Sequence, residues 1–332
     1  MKIRNSTFSL FLILIIASCS TSEKDCSDNN EIIAETIERL SDDFQDISDD
    51  IQNAATFTSS LYSNENKSSE INTNIYILSK EQTIYKKDDD GGSAIFVSGF
   101  VPVSPEIYNI IGLCEPLDSL FKEIKEKHDI IVQLFYYDEN SILRLFPFFD
   151  VQSQFKSQID ISKFRFYELA NKKNNPERNV VIVNKPYIDP AGRGVVVSVI
   201  SPVYVQNQFV GVIGANVTIN TILDNYFAEN SLNVLIVNDS GNIITANSYV
   251  YNVLSLPIPD EYQYFKYLSK DTYTDNINLL SIHKNLEFRN YVKRLIEHEN
   301  KRIEMELNEY KFCLIPFEMK RFKWHLIKFI KI

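Results

Sequence analysis

Between residues 31 and 62 the apolar positions Ile33, Ile37, Leu40, Phe44, Ile47, Ile51 and Ala54 recur at alternating spacings of four and three, with Asp and Glu between them. That period places one apolar stripe on a long helix whose other face is acidic. Fully helical, the segment spans about 48 Å at 1.5 Å per residue, more than one small domain needs. It reads either as a spine beside two stacked units or as the seam of a coiled-coil homodimer, and the two are compatible.

Downstream the period shortens to that of strands. "IIVQLFYYDENSILRLF" (130–146) and "LNVLIVNDSGNIITAN" (232–247) share a layout of apolar run, polar turn and apolar run, which predicts a β-hairpin in each. "GVVVSVISPVYV" and "QFVGVIGANVTI" meet at Gln206 and Asn207, and "NEYKFCLIPFE" and "FKWHLIKFI" flank the turn at Met319, Lys320 and Arg321. Val, Ile, Phe and Tyr dominate these runs, as in half-buried to fully buried sheet. The two hairpins lie roughly one small domain apart, so the simplest organisation is two related units in tandem, linked by a short helix over 221–228.

The start of the chain changes the picture by setting a compartment. Lys2 and Arg4 precede an apolar run from Phe8 to Ile16, far shorter than the ~20 residues of a spanning helix, which reads as a secretory signal over residues 1–18. The following Ile16-Ala17-Ser18-Cys19 resembles a bacterial lipobox, which implies lipidation at Cys19. Two acyl chains anchor stably, so the expected location is the cell envelope, on the periplasmic face or the outer membrane. Ser20 after the Cys leans to the outer membrane, by resemblance to proteobacterial sorting. Residues 19–30 read as a polar tether and 31–65 as the long helix. No output segment is read before Ile332, so a separate signalling partner protein is expected.

Composition narrows the function. Formal net charge is −10 and 44% of residues are apolar, which supplies real cores and argues against nucleic acid as a partner. Cys26, Cys114 and Cys313 are an odd number in an oxidising compartment, and sequence does not choose a pair. Neither they nor His128, His283, His298 and His325 have metal-ligand spacing. "KKDDDGG" (86–92) is either a solvated tip or an irregular cation turn, and the basic "KRFKWHLIKFIKI" is either a solvated strand face or a surface for anionic lipid. The chain carries no Gly-x-Ser-x-Gly elbow, His-Glu-x-x-His, P-loop or dinucleotide fingerprint. The expectation is a binding protein, without a cofactor, rather than an enzyme.

The richest stretch is "KPYIDPAGRGVVVSVISPVY" (185–204), where Tyr187 and Asp189 precede a glycine-containing turn and an uncharged β-run. Together with "RLFPFFD" (144–150), "FRFYELA" (164–170) and "FVGVIGANVTI" (209–219), it resembles the membrane-distal module of double Cache domains, the extracytoplasmic sensors of many bacterial chemoreceptors and histidine kinases. The resemblance implies an α+β fold: a long N-terminal helix followed by two tandem PAS-like antiparallel-sheet subdomains, here 66–225 (distal, ligand-binding) and 226–332 (proximal). It also implies a ligand held between the distal sheet and a covering segment. Amino-acid-binding members grip the ligand carboxylate with an Arg, followed by Trp and Tyr, a Tyr-x-Asp, and a later Asp for the ammonium.

At those positions this sequence has Phe164, Phe166, Tyr167, Tyr187, Asp189 and Asn216. Phe164 cannot make the bidentate grip of an Arg, and Asn216 offers a dipole in place of a charge. Arg165 and Arg193 are the nearby cations, although in a strand Arg165 faces away from Phe164. Four aromatics and one carboxylate suit a small amine or a neutral heteroaromatic molecule better than an ordinary amino acid. The alternative is a structural or interaction lipoprotein whose pocket is degenerate, with Asp189 bonding its own turn.

Overall fold

The computed structural model describes residues 29–63, 73–228, 232–256, 280, 283–299 and 301–332. The expected secretory signal, Cys19, Cys26 and nearly all of the expected tether lie outside these residues. Among the described residues no helix is long and apolar enough to cross a membrane.

The predicted stripe folds as α1 (Asn30–Ser63), with Ile33, Leu40, Phe44, Ile47, Ile51 and Ala54 all buried. Three short strands follow, β1 (Tyr76–Leu78), β2 (Ile84–Lys86) and β3 (Ala94–Val97), then α2 (Pro105–Leu113) and α3 (Leu117–Lys127). The first predicted hairpin is β4 (Gln133–Asp138) with β5 (Ile142–Phe146). A covering segment holds α4 (Val151–Gln154) and α5 (Arg165–Ala170). It leads into β6 (Val181–Ile188), β7 (Val195–Val205) and β8 (Gln208–Thr218).

The predicted linking helix is α6 (Ile219–Ile222), continued by a π-helical turn over Leu223–Phe227. The proximal unit holds β9 (Val234–Asn238), β10 (Ile243–Ala246), α7 (Ser248–Val253), α8 (Leu286–Ile296), β11 (Ile303–Leu307), β12 (Tyr310–Met319) and β13 (Trp324–Lys331).

The strands form two antiparallel sheets, one ordered β1-β2-β3-β5-β4-β8-β7-β6 and the other β10-β9-β13-β12-β11. The run β5-β4-β8-β7-β6 and the whole second sheet have the same order when each unit's five strands are numbered along the chain: 2-1-5-4-3. This is the internal repeat the two hairpins suggested. β1 to β3 extend the first sheet beyond the shared core.

Strand alternation gives each sheet two working faces. In β4, Leu134 and Tyr136 join α1, α2 and α3 in one core, whereas Phe135 and Tyr137 belong to a second core beneath α4 and α5. The proximal sheet repeats this: Trp324 and Leu326 face the α1 core, while Ile327 and Phe329 pack beneath α7 and α8. The α1 stripe is therefore a spine for both sheets, with Phe44 meeting Phe322 edge-on at 4.8 Å.

Candidate functional site

The matched residues belong to the distal face that lies under the covering segment. Sequence alternation gives Phe164 and Arg165 a strand geometry, but the structure corrects this. Phe164 is the N-cap of α5, and Arg165 opens that helix. Asp160 caps the short 3₁₀ turn just before, accepting from the Ser162 backbone N–H at 3.1 Å. The helix then directs Phe166 and Tyr167 down onto the sheet, both buried. Phe166 is the centre of an aromatic cluster, with ring centroids 4.9 Å from Tyr137, 5.2 Å from Phe135, 5.5 Å from Phe164 and 6.0 Å from Tyr187. Phe164 is half-buried at its rim. Tyr167 points elsewhere along the sheet and packs on Phe209 at 5.3 Å, near the β7–β8 turn.

Beside the rings runs a line of buried polar side chains. Gln133, Asn216 and Ser198 are register partners across β4, β8 and β7, so they stand in one row on one face. Tyr187 reaches the row from β6. Ser198 Oγ donates to Asn216 Oδ1 at 2.6 Å. A serine has one proton, so Tyr187 Oη, 2.7 Å away, is the donor to Ser198. Asn216 Nδ2 in turn donates to Gln133 Oε1 at 3.4 Å. Every link points the same way, and the line ends on Gln133 Nε2, which is buried and has no partner among the described residues. An unsatisfied buried N–H costs about 1–3 kcal/mol.

Asp189 follows β6 in the turn to β7. Its backbone carbonyl accepts from Gly192 N–H at 2.9 Å. Its carboxylate accepts from the Ala191 and Arg193 backbone N–H groups, each at 3.2 Å. Gly192 takes a positive φ of 80° within this turn, a conformation that suits glycine. The carboxyl is 1% exposed. Burial pushes it up to about 6, opposed by those two backbone donors and by the Arg193 charge. Burial, then the charges of Asp189 and Tyr187, hold the Tyr137 phenol well above its usual range. Arg193 does not enter the aromatic cluster; its guanidinium donates to Pro147 O at 3.3 Å and lies over Phe149 at 5.2 Å.

Of the six residues that sequence nominates, the structure gathers Phe164, Phe166 and Tyr187 into one cluster and links Asn216 to it through Ser198. Asp189 lies in the adjoining turn, and Tyr167 belongs to a neighbouring ring group. Gln133, Phe135, Tyr137 and Ser198 were not singled out by sequence. The signal for them was present: Gln133 and Ser198 are polar residues in otherwise apolar strands.

The reverse face of β4 is tied to the spine. Tyr62, at the end of α1, donates to Asp138 Oδ2 at 2.8 Å and lies 2.8 Å from Tyr136 Oη. Burial pushes Asp138 up to about 6, opposed by hydrogen bonds from Asn140 and Tyr62. On β6, a register shift separates Val183 from Tyr187. Within it the Asn184 carbonyl accepts from Trp324 Nε1 of the proximal unit at 2.8 Å.

Among the described residues no group of three or more His, Cys, Asp or Glu is arranged to hold a metal ion. Cys114 is a buried thiol at the end of α2, pushed up to about 12 by burial, and Cys313 is buried in β12.

No protein-family model matches this chain, and no curated protein matches it. Among solved structures it is similar to the ligand-binding domain of the Pseudomonas fluorescens chemoreceptor CtaA, a complex with L-alanine. That match has 13% identity and a TM-score of 0.49, and covers 91% of this chain and 95% of the other. It is also similar to the ligand-binding domain of the Pseudomonas aeruginosa amino-acid chemoreceptor PctC, a complex with GABA. There the identity is 12% and the TM-score 0.48, over 90% of this chain and 96% of the other. In architecture, with a spine helix carrying two tandem PAS-like sheets of one strand order, the protein has the layout that its sequence resemblance implies, that of the double Cache sensor domains.

Proposed function

We propose that this protein is a lipid-anchored extracytoplasmic receptor whose distal unit, residues 66–225, binds a small molecule between the sheet and the covering segment at 151–170. The observation that carries this reading is the one-way line Tyr187–Ser198–Asn216–Gln133, which ends on a buried amide donor with no partner among the described residues. A ligand carbonyl or ring nitrogen would complete it. The aromatic cluster at its side suits a flat or cationic body, with ~0.5–2 kcal/mol for each cation–ring contact.

The ligand class is a small amine or a neutral heteroaromatic compound. Asp189 accepts one backbone N–H on each oxygen, and a carboxylate has about four acceptor sites, so it keeps acceptor capacity for an ammonium once the covering segment parts. Phe164, Phe166, Tyr167, Tyr187, Asp189 and Asn216 are the proposed contact residues, and Gln133 is proposed beside them because its amide donor has no partner among the described residues. Ligand entry requires the covering segment to part from the sheet, because the rings now touch one another.

Output follows from the two faces of β4. A ligand acting on Gln133 and Tyr137 displaces the strand that holds Tyr62 through Asp138 and Tyr136, and so biases α1. The size of that bias is limited by the ligand's difference in affinity for the two states. Anchoring through Cys19 and a separate partner protein complete the proposal.

One observation favours a second reading, that of an interaction lipoprotein with a closed pocket. Asp189 already folds its own turn, and the aromatic rings fill the space beside it. A thermal-shift screen with amines, heteroaromatics and L-amino acids separates the two. A ligand in excess raises the melting point, whereas a closed pocket responds to none of them. Strong binding of common L-amino acids, abolished by Asp189→Ala, would overturn the preferred ligand class.

A further inference from the structure

A cavity of about 450 Å³ lies at the joint of the two units, away from the distal face. This is within the ~300–1,000 Å³ of small-molecule sites. One wall is the linking helix, where Leu223, Asp224 and Phe227 all come from the π-helical turn. Turns of that kind interrupt an α-helix at some cost and occur often at functional sites. The other wall is proximal, from Val234 of β9 to Tyr251 of α7. A register irregularity between Ile243 and Thr245 in β10 is the kind of bulge that re-aims a side chain, and Thr245 lines the cavity.

Much of the polar lining has no hydrogen-bond partner among the described residues. Among the described residues the side chains of Asn220, Asp224, Thr245, Ser248 and Tyr251 make no hydrogen bond, although all five border the cavity. Thr245 is 6% exposed and Tyr251 5%. Asn247, in contrast, is committed to its helix cap and to Leu232 O. Phe227, Leu223 and Val234 supply an apolar wall. Among the lining residues Asp224 is the only one with a formal charge.

We propose that this cavity is a second binding site, for a compact ammonium-bearing molecule whose cation pairs with Asp224 and whose body lies against Phe227 and Tyr251. The hydroxyls of Thr245 and Ser248 and the Asn220 amide complete its hydrogen bonding. Because its walls come from the linker and from the proximal sheet, an occupant fastens one to the other. This site is independent of the distal one, and either can exist without the other.

The test uses the full chain in detergent with n-propylamine, 1,4-diaminobutane and 2-phenylethylamine. Their neutral counterparts 1-propanol, 1,4-butanediol and 2-phenylethanol serve as controls. Binding is read by calorimetry and by hydrogen exchange over 219–227 and 243–253. At least one amine is expected to bind and to slow exchange in both segments, and its neutral counterpart is not. Asp224→Asn, an exposed position whose side chain makes no hydrogen bond among the described residues, weakens that binding about tenfold or more, and Asn216→Leu on the distal face leaves it unchanged. Failure of all three amines to protect the two segments overturns the proposal. So does binding indifferent to Asp224→Asn, or binding lost in Asn216→Leu, which assigns the amine to the distal face.

Discussion

Tyr187 Oη lies 2.7 Å from Ser198 Oγ, on the neighbouring strand of the distal sheet, and this contact sets the direction of the whole buried line. Ser198 gives its single proton to Asn216 and must accept from Tyr187. Ser198→Ala leaves both of those groups without the partner. The expected loss is about 1–3 kcal/mol, read from urea unfolding, while Ser198→Thr restores the hydroxyl and most of the stability. A loss well below 1 kcal/mol for the alanine variant would mean that the line is not a closed, buried element.

The spine makes a second prediction. Phe44 is fully buried in the α1 core and meets Phe322 edge-on. Phe44→Ala removes that contact and opens a cavity at the joint between α1 and the proximal sheet. The expected cost is about 3–5 kcal/mol, with a single unfolding transition giving way to two if the units lose their common support. An unchanged melting temperature would contradict the role of α1 as the shared core element.

The acids give a pH dependence whose sign is fixed by burial. Asp138 and Asp189 are both pushed up to about 6, so the folded protein holds these protons more tightly than the unfolded chain does. Their contribution is most favourable below the unfolded value near 4, falls as pH rises through about 6, and is level above that. Asp138→Asn keeps an acceptor for the Asn140 N–H and removes the charge. Relative to this variant, the wild type should lose on the order of 2 kcal/mol between pH 4.5 and 7. Parallel stability curves for the two proteins would show that Asp138 does not titrate in this window.

Coupling between the units is testable at Trp324. Trp324→Phe keeps a ring against Phe322, 4.9 Å away, and removes the indole N–H that holds the Asn184 carbonyl. The expected cost is about 1 kcal/mol, with faster hydrogen exchange across β6. Exchange in β6 that does not change would detach the proximal unit from the strand that carries Tyr187.

Periodicity made much of this fold legible. The four-and-three spacing from Ile33 to Ala54 is the α1 stripe, and the paired apolar runs at 130–146 and 232–247 are the hairpins at matching places in two sheets. β1, β2 and β3 were not legible, because three- and four-residue strands carry too few side chains for alternation to register. Phe164 and Arg165 were misjudged for a related reason: Phe-Arg-Phe alternates like a strand, yet Asp160 caps the turn at Ile161 and a short helix follows from Arg165. The nominated site positions came from resemblance. Gln133 and Ser198 escaped it, although a buried polar residue in an apolar strand demands a partner, and that demand is what the structure exposes.

The central claim is that the buried donor at Gln133 meets a ligand. The most direct measurement is calorimetric titration of the wild type and of Gln133→Leu with the compound that most raises the melting point in the thermal-shift screen. The account predicts saturable binding at one distal site, weakened about tenfold or more by Gln133→Leu, while the variant without ligand stays close to the wild type in stability, because removal of the unpartnered Nε2 donor is offset by loss of the acceptor that Asn216 Nδ2 uses. Equal affinity in the two proteins, or no binding by either, would contradict it.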